Sequence, residues 1–266
     1  MGWDVWLAVS FQQKEDPVQR FVRVAARFAA SERHHEVLRL LVRNSVYIKD
    51  ILENLYIGSN RETPITAEQI QQLPQRYQGE ALAVEGWWRV SPRYLIDDKT
   101  DAPLSGDYRV IVTTVGSSFP WPGLSKQSER VDLVYEPGDF KHFLPSLGGE
   151  AARLNIEALI QEVPLLIALG AQTIRGLDAE RSRDPRDHYL CYHRNPDNYR
   201  LDLQTISNNG LNLRALGTED ILNAALICSD VSFRETDGGL IIYHKEFVDG
   251  NLKNFYQELL KLCSGD

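Results

Sequence analysis

The sequence predicts an α+β fold with a mixed or mostly antiparallel sheet and helices packed mainly on one side of it. Three strand-like segments, Ala81–Val90, Tyr108–Val115 and Arg130–Glu136, lie close together in the chain. Long apolar patterns with helical spacing flank this group on both sides. A further strand pair near the C-terminus flanks residues 236–239, Thr-Asp-Gly-Gly, which are typical of a tight β-hairpin turn. Together these observations favour a sheet with helices packed against it.

The chain begins with a strand pattern that is followed by helical patterns. Trp3–Phe11 alternates apolar and polar side chains and predicts an opening strand. Asp16 and Pro17 predict the start of a helix, because Asp is a good N-cap and Pro loses no hydrogen bond at the first helical position. A second helical pattern runs from Val37 to Leu55. We expect the two helices to form an antiparallel hairpin.

These patterns lead to a prediction of the domain organisation. We expect a helical N-terminal region at residues 1–78, packed on the same core as an α+β domain at residues 79–266. One continuous domain, residues 1–266, is the alternative, because a chain of this length can form a single large core. Tyr108–Val115 is apolar on both faces, which is typical of a central strand.

The C-terminal half supplies further elements of both kinds. Gly170 is placed to end the apolar helical run before it, and Leu201–Ile206 is interpreted as a strand. Thr218 is expected to cap a helix. The last helix places apolar side chains on one face from Leu252 to Leu262.

The composition is that of an ordinary globular protein with an acidic balance. The chain has 266 residues, 43% of them hydrophobic, and a formal net charge of −8. This charge opposes long-range attraction to nucleic acid or to an anionic membrane, and it suits a basic protein partner. The N-terminus lacks a secretory pattern, and the longest apolar run is about half of the ~20 residues that span a bilayer. We therefore expect a soluble cytoplasmic protein with three reduced cysteines.

The most unusual composition lies between residues 175 and 200, which we call the 175–200 segment. It is dense in Arg, Asp, His and Tyr, has little periodicity outside the strand-like Tyr189–His193, and is interpreted as a long surface segment. Arg and aromatic side chains are enriched in protein interfaces. The candidate partner-binding residues are Arg183, Arg186, Tyr189, Tyr192 and Arg194 in this segment, and Trp121 between two prolines. We expect combined substitution of Arg186, Tyr189 and Tyr192 to abolish partner capture and to leave the fold intact.

The leading function hypothesis is a non-catalytic protein-binding module, such as an inhibitor, an immunity-type protein or an assembly subunit of a bacterial system. No phosphate-binding glycine motif or nucleophile-elbow motif occurs in the sequence. We therefore assign no catalytic residue, metal ligand or cofactor.

Two alternatives stay open. The first is a metal-dependent hydrolase or nuclease-like enzyme, although its carboxylates match no calcium loop and its His/Cys set falls short of a zinc site. Its residues would come from one of two groups: Asp97, Asp101 and Asp107, or His188, Cys191 and His193. The second alternative is a nucleic-acid-binding accessory protein that uses the Arg and Tyr side chains of the 175–200 segment.

Overall fold

The chain folds into helices and antiparallel sheets, which confirms the predicted α+β class. The computed structural model describes residues 5–12, 17–29, 39–43, 61–64, 71, 81–89, 107–113, 130–137, 160–178, 187–207, 212–245 and 251–264. The chain is divided into two compact units. The first unit comprises Met1–Pro120 and Ser125–Ser146, and the second comprises Trp121–Leu124 and Leu147–Asp266.

The first unit contains a six-stranded sheet and one described helix. Its elements are β1 (Val5–Ser10), α1 (Pro17–Ala29), β2 (Arg39–Arg43), β3 (Arg61–Pro64), β4 (Ala81–Arg89), β5 (Asp107–Thr113) and β6 (Arg130–Pro137). The strand order is β3-β2-β4-β5-β6-β1, and each neighbouring pair is antiparallel. Helix α1 contacts β5 and β6.

Most of the predictions for this unit are confirmed. The three strands of the 81–136 stretch are present as β4, β5 and β6, and β5 lies inside the sheet between the other two. The opening strand and the helix that begins at Pro17 are present as well. Phe21, Val22 and Ala25 are buried, as their helical spacing predicts.

The helical interpretation of residues 37–55 is wrong where the structure describes them. Residues 39–43 form β2, which pairs with β3 on one side and with β4 on the other. A short apolar run such as Leu40–Val42 fits a helix or a strand equally well, and the two strand partners decide between them here. Strands β1, β2 and β3 from the first 78 residues belong to the same sheet as β4–β6.

The second unit contains a four-stranded antiparallel sheet of order β7-β8-β10-β9. Its elements are α2 (residues 160–168), β7 (Thr173–Asp178), β8 (His188–His193), α3 (Asp197–Ser207), α4 (Thr218–Ile227), β9 (Val231–Thr236), β10 (Gly239–His244) and α5 (Lys253–Ser264). The predicted C-terminal hairpin and the last helix are confirmed. The helix predicted near Thr218 is present, but Gly217 rather than Thr218 is its N-cap residue.

Two described glycines of this unit have a positive φ. Gly170, at φ 91°, follows α2 and donates its N–H to the carbonyl of Ile167 at 2.9 Å, while Ala171 donates to Leu166 at 3.1 Å. This pair of bonds is the Schellman arrangement, so the predicted role of Gly170 is confirmed. Gly239, at φ 131°, lies at the start of β10 next to the hairpin turn.

The prediction of a strand at Leu201–Ile206 is wrong, because these residues lie in helix α3. The helix begins at an Asn-Pro-Asp sequence, in which the side-chain oxygen of Asn195 accepts the N–H of Asp197 at 3.0 Å. Its buried face carries Tyr199, Asp202 and Leu203, which follow helical rather than strand spacing.

Helices α3, α4 and α5 pack on one face of the second sheet. The shared core includes Cys191 and Ile242 from the strands and Leu203, Ala224 and Phe255 from the helices. All three cysteines of the chain lie buried and unpaired. No helix in the described parts of the chain is long and apolar enough to cross a membrane.

Candidate functional site

Three polar side chains of β8, those of His188, Cys191 and His193, face the packed helices, and a β-bulge contributes to this orientation. Leu190 pairs with Gly176 and His188 pairs with Leu177, so Tyr189 is an additional residue in β8. Side chains alternate along a regular strand, which places Cys191 and His193 on the same face, and the bulge brings His188 to that face as well. The hydrogen bond between His188 and Tyr256 of α5 agrees with this arrangement.

These strand residues meet one carboxylate from α3. We call the set Thr173, Arg175, His188, His193, Asp202 and Tyr256 the Asp202 network. Asp202 accepts a hydrogen bond from Arg175 through Oδ1, and its Oδ2 lies 2.8 Å from His193 Nε2. The Tyr256 hydroxyl also donates to Oδ2, at 3.5 Å. Asp202 therefore joins β7, β8, α3 and α5 at one point.

The ring contacts reinforce the same four elements. His193 lies edge-on to Tyr199 with the ring centroids 4.3 Å apart, and Tyr199 meets Phe255 at 6.0 Å. Phe255 continues to Tyr256 at 5.4 Å, and Tyr256 to His188 at 5.1 Å. Edge-to-face pairs of this kind add about 0.5–1.5 kcal/mol each beyond the burial of apolar area. The rings thus form a continuous row from β8 through α3 and α5 and back to β8.

The hydrogen bonds assign the tautomer of His193. A carboxylate only accepts hydrogen bonds, so Nε2 of His193 carries a proton and donates it to Asp202. The Nδ1 atom lies 3.1 Å from the hydroxyl of Thr173. In the neutral ring Nδ1 has no proton, so it accepts from that hydroxyl. Both ring nitrogens are therefore satisfied while the ring is neutral.

The charges of the network are set by burial and by the Arg175–Asp202 pair. Burial raises the pKa of Asp202, but the positive charge of Arg175 and the bond from His193 outweigh burial and bring it to about 2. Burial lowers the pKa of His193, against the opposing attraction of Asp202. At neutral pH the cation of Arg175 and the anion of Asp202 therefore lie beside a neutral His193.

Cys191 has the opposite character to a catalytic thiol. It is fully buried, and its sulfur lies 3.7 Å from the hydroxyl of Tyr199. Burial raises its pKa to about 12. Nucleophilic cysteines have a lowered pKa, which keeps part of the population as thiolate. A Cys191–His193 nucleophilic pair is therefore not supported by this geometry.

Thr173, His193 and Asp202 form a hydroxyl–imidazole–carboxylate series like those that activate nucleophiles in hydrolases. Two features distinguish it from such a site. His193 is buried, and the carboxylate is engaged by Arg175 as well as by the imidazole. Within the described residues, no three His, Cys, Asp or Glu side chains come together to hold a metal ion. The arrangement is suited to fixing helices on the sheet.

The predicted partner-binding residues have different locations. Tyr189 is 7% exposed and Tyr192 is 0% exposed, so the expectation that they lie on a surface is corrected. They belong to β8, an interior strand of its sheet, where side chains on both faces are covered. The Tyr192 hydroxyl donates to the carbonyl of Gly238 at 2.7 Å. Arg183, Arg186 and Trp121 lie outside the described residues.

Arg194 is exposed but also has a structural contact. Its guanidinium donates to the carbonyl of Ile167 at 3.0 Å, and its backbone N–H donates to Gln172 at 2.8 Å. A cation at the C-terminal end of α2 is favourably placed for the helix dipole. Of the alternative catalytic group, Asp97 and Asp101 lie outside the described residues, and Asp107 begins β5.

A second feature of this unit is an exposed stripe along α4. Glu219, Asn223, Leu226 and Ile227 are exposed and recur at the spacing of one helix face. We call these four residues the α4 stripe. Leu226 is 63% exposed and Ile227 is 62% exposed. The remaining exposed large apolar side chain in the described residues is Leu201, on α3, at 59%.

The chain matches no protein-family model, and no curated protein sequence matches it significantly.

Proposed function

We propose that the protein is a non-catalytic protein-binding module whose second unit presents the α4 stripe to a basic protein. The observation that carries this proposal is the pair of adjacent, largely exposed apolar side chains at Leu226 and Ile227. Exposed apolar side chains that lie next to each other mark interaction sites more often than those that occur singly. The titratable groups of the Asp202 network, by contrast, are buried and paired with one another.

The nature of the partner follows from charge. The chain carries a formal net charge of −8, and the stripe itself contains the exposed carboxylate of Glu219. A partner with Lys or Arg beside an apolar contact residue would complement both ends of the stripe. Electrostatic complementarity of this kind speeds association and selects among partners.

The proposal changes which residues a binding test should substitute. Tyr189 and Tyr192 are core residues, so substituting them would test folding rather than binding. The appropriate variant is L226K/I227K, which removes the apolar contact and repels a basic surface. L201K is the matched control, since Leu201 is similarly exposed on a different helix. The double variant R183E/R186E tests two of the predicted partner-binding arginines of the 175–200 segment.

Photo-crosslinking in the native host gives the measurement. A photoreactive amino acid is placed at position 223 in the α4 stripe and, as control, at position 204, which is exposed on α3. We expect position 223 to trap a basic protein, L226K/I227K to lose the product, and L201K to keep it. Equal trapping from both positions, or a product that survives L226K/I227K, would contradict the assignment of the stripe.

The alternatives have their own readouts. Stoichiometric zinc, manganese or magnesium in the purified protein would support the metal-dependent enzyme instead. Binding of a labelled oligonucleotide with an affinity that falls steeply with salt would support the nucleic-acid hypothesis.

A further inference from the structure

His193 lies where three elements of the second unit meet. It belongs to β8, its Nδ1 is bonded to Thr173 of β7, and its Nε2 is bonded to Asp202 of α3. Both bonds fit the neutral ring, as shown above. The helix α3 is thus attached to the sheet through this imidazole as well as through Arg175, and the protonation state of the imidazole decides whether its two hydrogen bonds remain compatible.

A second proton on His193 would disturb this arrangement in two ways. The Nδ1–H would face the hydroxyl proton of Thr173, so that hydroxyl would have to rotate and find another acceptor. The ring would also become a second cation beside Arg175, and a single carboxylate would then compensate two buried positive charges.

Among the residues that the structure describes, the groups that face His193 do not offer a second anion. Arg175 of β7 is a cation, and burial raises the pKa of Cys191 of β8, Tyr199 of α3 and Tyr256 of α5, so these three remain neutral. His188 of β8 is hydrogen-bonded to Tyr256 at 2.8 Å. Asp202 is the remaining charged group at the ring, and it is already paired with Arg175.

We propose that the Asp202 network is a proton-sensitive latch, which holds α3 on the sheet near neutral pH and loosens when His193 takes up a proton. In the open form His193 is exposed to water, where the imidazole takes up a proton with its ordinary pKa. The closed form, by contrast, has to accommodate a buried positive charge.

The sign of the pH dependence follows from the lowered pKa of His193 in the closed form. Burial lowers that pKa below the ordinary value of 6.5, with Asp202 opposing the shift. The stabilisation by the latch is therefore complete above about pH 6.5 and is lost as the pH falls toward the pKa of the closed form. Asp202 does not contribute in this range, because its pKa is about 2. The equilibrium constant for opening should rise by up to about tenfold for each pH unit below 6.5.

Hydrogen exchange on the full chain tests the latch. Protection factors of α3 peptides, corrected for the intrinsic pH dependence of exchange, are compared between about pH 7.5 and about pH 5. In the wild type we expect the protection factors of α3 to fall by up to about tenfold for each pH unit below 6.5. In H193Q we expect them to be independent of pH. Glutamine keeps an N–H donor for Asp202 and does not titrate. H244Q is the matched control, since His244 lies on β10 and pairs with Asp230. It should retain the wild-type slope.

Two results would overturn the latch: protection of α3 that is independent of pH in the wild type, or a slope that persists in H193Q. If H193Q does not fold, the imidazole resonances of isotope-labelled wild-type protein decide the question. We expect a neutral ring with its proton on Nε2 at pH 7, and protonation of the ring only at pH values below 6.5, the ordinary pKa of histidine. A ring that is protonated at pH 7, or that carries its proton on Nδ1, would equally refute the proposal.

Discussion

Removing one charge of the Arg175–Asp202 pair should destabilise the second unit much more than removing both. The variants are D202N, R175M and the double variant R175M/D202N. In D202N the guanidinium of Arg175, at 3% side-chain exposure, keeps its charge and loses its anion. In R175M the carboxylate of Asp202, at 8%, keeps its charge and loses its cation.

The structure gives the size of the expected effect. The pKa of Asp202 lies at about 2 instead of 3.8, so the surroundings favour its charged form by about 2 kcal/mol even after the cost of burial. Breaking a buried ion pair by removing one partner typically costs about 3–5 kcal/mol. We expect each single variant to lose stability in this range.

The double variant removes both buried charges at once. Asn at position 202 keeps an oxygen that accepts from His193 and Tyr256, and Met at position 175 fills most of the volume of the arginine stem. It also removes the Nε of Arg175, which finds no partner in the described part of the structure. Replacing both members of a buried pair is often neutral or stabilising, so we expect a loss of no more than about 2 kcal/mol.

The measurement is a double-mutant cycle in urea, with hydrogen exchange of β8 and α3 peptides reporting on the second unit. We expect a coupling energy of at least about 4 kcal/mol between positions 175 and 202. Arg214 and Asp220 form the matched control pair, since they are hydrogen-bonded at 2.7 Å but Arg214 is 49% exposed. Their coupling should be much smaller because water screens an exposed pair. Additive effects at positions 175 and 202, or a double variant less stable than either single one, would refute the reasoning.

Three further predictions concern the same unit. Native protein should resist alkylation of Cys191 at neutral pH and react once unfolded, as followed by mass spectrometry, because the thiol is buried with a pKa of about 12. G239A should cost about 1–3 kcal/mol in urea denaturation because φ is 131° there, whereas G217A, at φ −101°, should cost much less. T173V should cost about 1–3 kcal/mol by leaving Nδ1 of His193 without its donor, and T173S should retain most of the stability.

The elements with strong local signals could be predicted from the sequence. β4, β5 and β6 show alternation or a continuous β-branched run, and α1 begins at a Pro that is pre-organised for a first helical turn. Residues 39–43 could not be assigned in the same way, since five residues of Arg, Leu and Val fit either periodicity. Pairing with β3 and β4, which lie distant in the chain, determines the strand.

Only part of the Asp202 network could be predicted from the sequence. Strand alternation places Cys191 and His193 on one face, and that prediction agrees with the contact that each makes with Tyr199. The bond from Arg175 to Asp202 spans 27 residues and that from Tyr256 spans 54, so no local pattern indicates them. One signal was present: an acid at position 202 falls in the apolar stripe of Tyr199 and Leu203 once the segment is treated as a helix. The interpretation of this segment as a strand concealed this.

The properties that make the Asp202 network a good attachment also make it a poor active site. A catalytic carboxylate or imidazole must change its charge or its partners during each cycle, and its pKa must lie near the working pH. Asp202 is held ionised by Arg175, and Cys191 is held neutral by burial, so neither group is poised to exchange protons near pH 7. In the proposed latch, the titration of His193, whose pKa burial lowers from the ordinary 6.5, acts on the position of α3. Helices α3 and α4 share one hydrophobic core. If the second unit binds a partner through α4, acidification should therefore weaken binding only when movement of α3 disturbs that core.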